Sequence, residues 1–162
     1  MGANTHGIDL TARAIEITKK RLSFYDLSSN LKVGDAENLE FSDNSFDFIY
    51  SWGVIHHSPD TQKAVDEIYR VLKPGGRFFC LEFSKILNSN LELLYKNYSK
   101  LIPLVGGLIV GEKKPYEYLV KSIENFVNQE ELIALMEQNN FKKCSYRNLS
   151  GGIVSIHSGW KY

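Results

Sequence analysis

Residues 46–83 read FDFIYSWGVIHHSPDTQKAVDEIYRVLKPGGRFFCLEF, and this stretch decides the fold. Its apolar run Phe46 to Ser51 has the length and composition of a strand and is opened by the turn residues Asp43-Asn44-Ser45. Asp60, after Pro59, is placed to cap a helix whose Ala64, Val65, Ile68 and Leu72 share one face. Pro74 and Gly75-Gly76 end that helix, and Arg77 to Phe83 makes the next strand. Strand, helix and strand in this order predict a parallel pair with a right-handed crossover.

The same rhythm precedes it. Gly7-Ile8-Asp9-Leu10 reads as the end of a buried strand, and Thr11 caps a helix to about Tyr25 on which Ala14, Ile15, Thr18 and Leu22 line up. Asn30 to Val33 is a short strand that stops at Gly34-Asp35. The order β-α-β-β-α-β predicts an α/β, Rossmann-like parallel sheet. Near residue 85 the texture changes to amphipathic stretches. Asn90 to Leu101, Tyr116 to Ile123 and Asn128 to Asn139 read as helices, the last opening on a variant capping box of Asn128 with Glu131. Phe141 to Leu149, the turn Ser150-Gly151-Gly152 and Ile153 to Trp160 close the chain as an antiparallel hairpin. We expect one domain over 1–162, with a helical lid or substrate subregion over 85–140.

Composition narrows the function. With 162 residues, 19 Lys plus Arg against 19 Asp plus Glu, the net charge is zero, which argues against nucleic acid as a partner. Cys80 and Cys144 stand far apart in apolar stretches without CxxC spacing, so they read as buried thiols in a reducing compartment, the cytoplasm by default. The longest apolar run, Leu101 to Val110, is half a membrane span and carries Pro103, Gly106 and Gly107, so no transmembrane segment is expected. GxGxG, GxxxxGK[ST], GxSxG and HExxH are all missing, which removes nucleotide hydrolysis, serine-hydrolase and zinc-protease readings.

Ligands of open parallel sheets sit beyond the carboxyl ends of the strands. Asp9, with Leu10 beside it, ends a strand and suits a ribose diol, or else simply caps the following helix. Asp35-Ala36 ends the next, where the carboxylate can accept from an adenine amino group and the Ala36 amide can donate to the ring; a plain turn is the alternative. Two acidic strand ends one helix plus one strand apart favour an adenosine-containing cofactor. Ser51-Trp52-Gly53 follows the third strand, with Trp52 either covering a ring or filling core. His56 and His57 lie at the same mouth and can take a proton near neutral pH, or serve as structural histidines. They lack a third ligand at metal spacing, so no metal is expected. Leu101 to Val110 with Tyr116 and Tyr118 could cover a flat apolar substrate, although such residues are more often core.

Asp9, Gly34-Asp35-Ala36-Glu37-Asn38-Leu39, Asp43-Asn44-Ser45-Phe46-Asp47 and the run Tyr69 to Arg77 together resemble class I S-adenosylmethionine-dependent methyltransferases. Leu81-Glu82-Phe83-Ser84-Lys85, Tyr116-Glu117-Tyr118-Leu119, Ser122-Ile123 and the ending Asn148 to Tyr162 are similar to the UbiE family of ubiquinone and menaquinone biosynthesis C-methyltransferases, nearly the whole chain from residue 7 being covered. The resemblance implies S-adenosyl-L-methionine as cofactor, with Asp9 on its ribose, Asp35 and Ala36 on its adenine and Ser51 near its methionine part. It implies methyl transfer to a small aromatic or quinone-type acceptor, C-methylation favoured; if the acceptor is a phenolic ring carbon, His56 or His57 is the candidate base for its hydroxyl proton. A homodimer is one expected partner, and a membrane surface another if the acceptor is a lipid quinone. NAD-dependent oxidoreduction and a non-catalytic partner or inactive fragment are the competing readings.

Two departures bear on this. Where the family has an arginine-asparagine pair after the glycine matching Gly53, this chain has Val54-Ile55-His56-His57, as in generic small-molecule methyltransferases. Such enzymes also carry a first strand with a Gly-rich loop ahead of the strand ending at Asp9, in mid-sheet between the strands ending at Asp9 and Ser51. The chain starts after it, so the first strand is expected to be missing, two edges exposed, and Met1 an internal start of a carboxyl-terminal fragment.

Overall fold

Thr11 sets where the first helix begins. Its hydroxyl accepts the Ala14 N–H at 3.3 Å, and α1 runs Ala12–Ser23 between the strands β1 (His6–Asp9) and β2 (Asn30–Val33) in a computed structural model that describes residues 2–162. Met1, and with it the expected internal start, lies outside the described residues. Then come β3 (Phe46–Trp52), a 3₁₀ turn at Ile55–His57, α2 (Thr61–Val71) and β4 (Leu72–Phe83). The chain continues through α3 (Ser89–Val110), α4 (Lys114–Asn125) and α5 (Gln129–Gln138), and ends in the hairpin of β5 (Lys142–Leu149) and β6 (Val154–Trp160).

β1 and β2 pair in parallel, Asp9 opposite Val33. β3 and β4 also pair in parallel, Ser51 opposite Cys80, while β6 lies antiparallel between β4 and β5. Two sheets result, of order β1-β2 and β3-β4-β6-β5, and among the described residues no backbone ladder joins β1 to β3. A cavity of about 220 Å³ lies between them, lined by Gly7 and Ile8 on one side and Ile49 and Ser51 on the other. The sheet is open where the first strand is expected to be missing. One expectation is corrected in consequence: Gly7 to Leu10 is not a buried strand, since β1 is at best half-buried and Leu10 is exposed.

The core forms on one face of the larger sheet. Along β4, Phe78, Cys80 and Glu82 turn inward at period two, against Ala64, Val65 and Ile68 of α2 and Leu132 and Met136 of α5. On the other face Arg77 stacks over Phe79 at 4.2 Å and over Trp160 at 4.9 Å, and Phe48 and Tyr50 stay exposed. Arg70 ties the β2–β3 connection down: it donates to the Phe41 and Leu39 carbonyls and to Asp43 and Glu67, all at 2.7–2.8 Å. That hydrogen-bonded pairing holds Glu67 below the usual carboxylate range.

Other corrections are local. α2 ends at Val71, before Pro74, because Leu72 is already extended and pairs with Phe46. α3 does not stop at Leu101 but continues through Pro103 to Val110, capped by Asn88 in front and by left-handed Gly111 (φ 83°) behind. Cys80 is buried as expected, but Cys144 is only half-buried. Burial still raises the Cys144 thiol to about 11.

Candidate active site

The carboxyl ends of β1 and β2 lie side by side, the Asp9 carbonyl accepting the Gly34 N–H at 3.0 Å. Asp9 Oδ1 accepts both the N–H and the hydroxyl of Thr11 at 2.8 Å, so Asp9 does help to shape the helix entry. Beyond Gly34, the Asp35 side chain accepts the Glu37 N–H at 2.9 Å and its carbonyl the Asn38 N–H at 3.2 Å, a tight turn that leaves Asp35 exposed. Turn-making and ligand-holding are compatible here, because each carboxylate has acceptor sites beyond those used.

Glu37 then spans the cleft. It accepts the Ser58 hydroxyl at 2.5 Å and the Asp60 N–H at 3.0 Å, joining the loop after β2 to the loop after β3. These two bonds, the Ser58 one first, hold its carboxyl below the usual range. Across the cleft Ala36, Ser51, Val54 and Ile55 share the wall of the 220 Å³ cavity. The Ser51 hydroxyl is buried and has no hydrogen-bond partner among the described residues. Trp52 is 71% exposed, which corrects its reading as core filler. Gly53 follows at φ 63°, a conformation that favours glycine, and donates to the Leu81 carbonyl at 3.0 Å.

His56 and His57 stand apart from that cavity, toward α4. His56 is buried, with Nδ1 2.6 Å from Glu82 Oε2. His57 lies 3.9 Å from it, centroid to centroid, and stacks on Tyr118 at 5.3 Å with the planes 13° apart. Burial, and then neighbouring His56, push the His57 imidazole below its ordinary value, so its neutral form is favoured at neutral pH. Among the described residues no group of three or more His, Cys, Asp or Glu side chains could hold a metal ion.

A second cavity of about 770 Å³ opens beside this mouth, lined by Phe83, Tyr95, Ile102, Leu119, Ile123 and Ile153. Its volume is within the range of roughly 300–1,000 Å³ common for small-molecule sites. Lys85 closes one end by donating to the Glu124 carbonyl at 2.6 Å, while Gln129 donates to the Lys85 carbonyl at 2.8 Å. Sequence reading missed Glu37 and Glu82. The signal for Glu82 was available: a carboxylate two residues after Cys80 and four after Phe78 in an inward-facing strand register must find partners.

The model of the ubiE/COQ5 methyltransferase family matches residues 2–161. The chain belongs to that family. Among curated relatives, the ubiquinone/menaquinone biosynthesis C-methyltransferase UbiE of Rickettsia felis is 47% identical over 156 residues, which are 94% of this chain and 63% of the relative. That of Brucella canis is 42% identical over 158 residues, 95% of this chain and 58% of the relative. The chain therefore spans about three fifths of the length of these ubiE/COQ5 relatives. In fold, it is similar to a SAM-dependent methyltransferase of Thermotoga maritima, at TM-score 0.72 and 24% identity over 98% of this chain and 73% of the other. Phosphoethanolamine N-methyltransferase 2 of Haemonchus contortus in complex with S-adenosyl-L-methionine matches at TM-score 0.68 and 17% identity, over 96% of this chain and 43% of the other. The Rossmann-like α/β fold read from the sequence is that of these neighbours.

Proposed function

We propose that this chain carries part of an S-adenosyl-L-methionine-dependent methyltransferase whose acceptor is small, apolar and aromatic or quinone-type, with methylation at carbon favoured. The observation that carries the reading is the pair of acidic residues Asp9 and Asp35 at the carboxyl ends of adjacent parallel strands, with Ala36 of the second loop facing Ser51 across a cavity that neither carboxylate itself lines. The printed function of the UbiE relatives and membership of the ubiE/COQ5 family support it.

The residues present fit the cofactor. Asp9 has a free acceptor for ribose hydroxyls, Asp35 is exposed to receive an adenine amino group, Ala36 presents its amide beside it, and the orphan Ser51 hydroxyl needs a polar partner. Leu10, Trp52 and Gly53 are the remaining expected contacts, Trp52 being an exposed ring able to cover a ligand. When bound, the cofactor supplies a sulfonium methyl group open to in-line displacement. The protein's own part is alignment and exclusion of water, with α3 and α4 as the helical subregion over the acceptor cavity. His56 or His57 takes the hydroxyl proton of a phenolic acceptor, which raises electron density on the ring carbon. The free cysteines fit the reducing cytoplasm, and no helix of the described residues is long and apolar enough to cross a membrane. A homodimer and contact with a lipid surface are decided by sedimentation and by vesicle flotation.

Calorimetric titration tests the reading. Heat with S-adenosyl-L-methionine that falls at least about tenfold in affinity in Asp9→Ala and in Asp35→Ala is the expected result, one lost charge-assisted hydrogen bond being worth about 1.5–3 kcal/mol. Heat with NAD instead would favour oxidoreduction, and silence with both would leave a non-catalytic partner or an inactive fragment.

A further inference from the structure

We propose that Glu82 is a positioning residue that fixes the protonation geometry of His56, placing the ring proton on Nδ1 and leaving Nε2 as the acceptor nitrogen. The inference deepens the reading above, since it concerns the histidine pair assigned to proton handling, but its geometry stands without the methyl-transfer assignment.

Glu82 is 1% exposed and sits on the inward side of β4, where an unpaired carboxylate would be strongly disfavoured. Among the described residues, every hydrogen-bond partner of its carboxylate comes from the loop after β3. Oε1 accepts the Val54 N–H at 2.8 Å and the Ile55 N–H at 3.0 Å, and Oε2 faces His56 Nδ1 at 2.6 Å. A carboxylate only accepts, so the hydrogen in the last contact belongs to Nδ1. His56 Nε2 is buried and has no partner among the described residues. The ring has little freedom to turn away, being edge-on to Phe83 at 5.7 Å and to Phe126 at 6.2 Å and tilted against His57 at 3.9 Å. Phe83, which His56 meets edge-on, lines the larger cavity, although His56 itself does not.

A purely mechanical clamp and a tautomer-setting group differ in what glutamine does. In Glu82→Gln the amide oxygen can keep both backbone N–H bonds, so the loop stays anchored. The amide NH₂ then faces Nδ1, where two donors cannot meet, and the ring proton must move to Nε2. The test is long-range ¹H–¹⁵N correlation spectroscopy of histidine-labelled protein near neutral pH, without cofactor, with His56→Gln to assign the resonance. The wild-type protein is expected to show His56 protonated at Nδ1 alone, and Glu82→Gln to show it protonated at Nε2 while thermal unfolding stays cooperative. A wild-type spectrum with the proton on Nε2, or on both nitrogens, overturns the inference, as does an unchanged His56 signal in a folded Glu82→Gln. Should that variant not fold, the wild-type spectrum alone decides. No cofactor enters the measurement, so its failure and a silent titration are separate results.

Discussion

His157 sits at 1% exposure on β6, with Nε2 3.1 Å from the Gln129 carbonyl and Nδ1 3.4 Å from the Ser155 hydroxyl. The carbonyl can only accept, so Nε2 carries a hydrogen. Burial pushes its pKa below the ordinary histidine value, the Gln129 carbonyl and the Glu130 and Glu82 charges only partly opposing this. A depressed native value means that the unfolded chain binds the proton more readily. The contribution to stability is therefore complete above about pH 6.5, the unfolded value, and is lost as the pH falls toward the native one. His57, also pushed down by burial, adds in the same direction, whereas Glu37 and Glu67 act only at lower pH, below about 4.5. Urea unfolding midpoints are expected to drop between about pH 7.5 and 5.5, and His157→Gln, which can still donate to Gln129 but does not titrate, should flatten that slope. Equal wild-type midpoints at the two pH values would contradict the assignment.

At the scale of elements, α3 and α4 meet through a glycine. A Cβ on Gly106 would come within 2.5 Å of the Tyr116 ring, so the helices approach closely only because nothing projects there. Gly106→Ala is expected to cost about 1–3 kcal/mol by overpacking, with faster amide exchange confined to these two helices. In a Tyr116→Ala background the same change should cost little, because the obstructing ring is gone; strictly additive penalties would show that the contact does not limit the approach. How legible these elements are in the sequence depends on where their signals lie. Thr11, Asp60 and the Asn128–Glu131 box announce three helix starts, because a cap bonds within three residues of itself. α3 is read too short since Pro103 signals a stop, yet proline removes one N–H bond, to the Ser99 carbonyl, and Asn88 and Gly111 secure the two ends. The strand ends at Asp9 and at Gly34-Asp35 are readable because short apolar runs stop there. The grip of Glu82 on residues 54–56 is not, since it exists only once β3 and β4 pair with Ser51 opposite Cys80. Likewise the reach of Arg70 to residues 39–43 crosses from one element to another.

Across the whole molecule, the unit of β1, α1 and β2 is attached to the larger sheet without a shared strand ladder. What holds it is a set of side-chain ties: the edge-on ring triangle of His6, Phe41 and Phe46, the Arg70 bonds to the Leu39 and Phe41 carbonyls, and the Glu37 bridge to Ser58 and Asp60. Its own burial is slight, with Ile15 the one residue of α1 that is buried. β4 and β6, by contrast, pair over seven consecutive positions and carry Phe78 and Cys80 into the core. Free energies of local opening follow buried contacts and protected hydrogen bonds, so the two parts should not open together. Native-state hydrogen exchange at increasing subdenaturing urea is expected to release the β1 and β2 amides first, and those of β4 and β6 only in global unfolding. Arg70→Ala, which cuts the charged tie to the connecting loop, should widen that gap by lowering the protection of β1 and β2 while leaving β6 nearly unchanged. Equal protection in β1 and β4, merging at one urea-dependent limit, would mean that the cleft does not divide the molecule energetically.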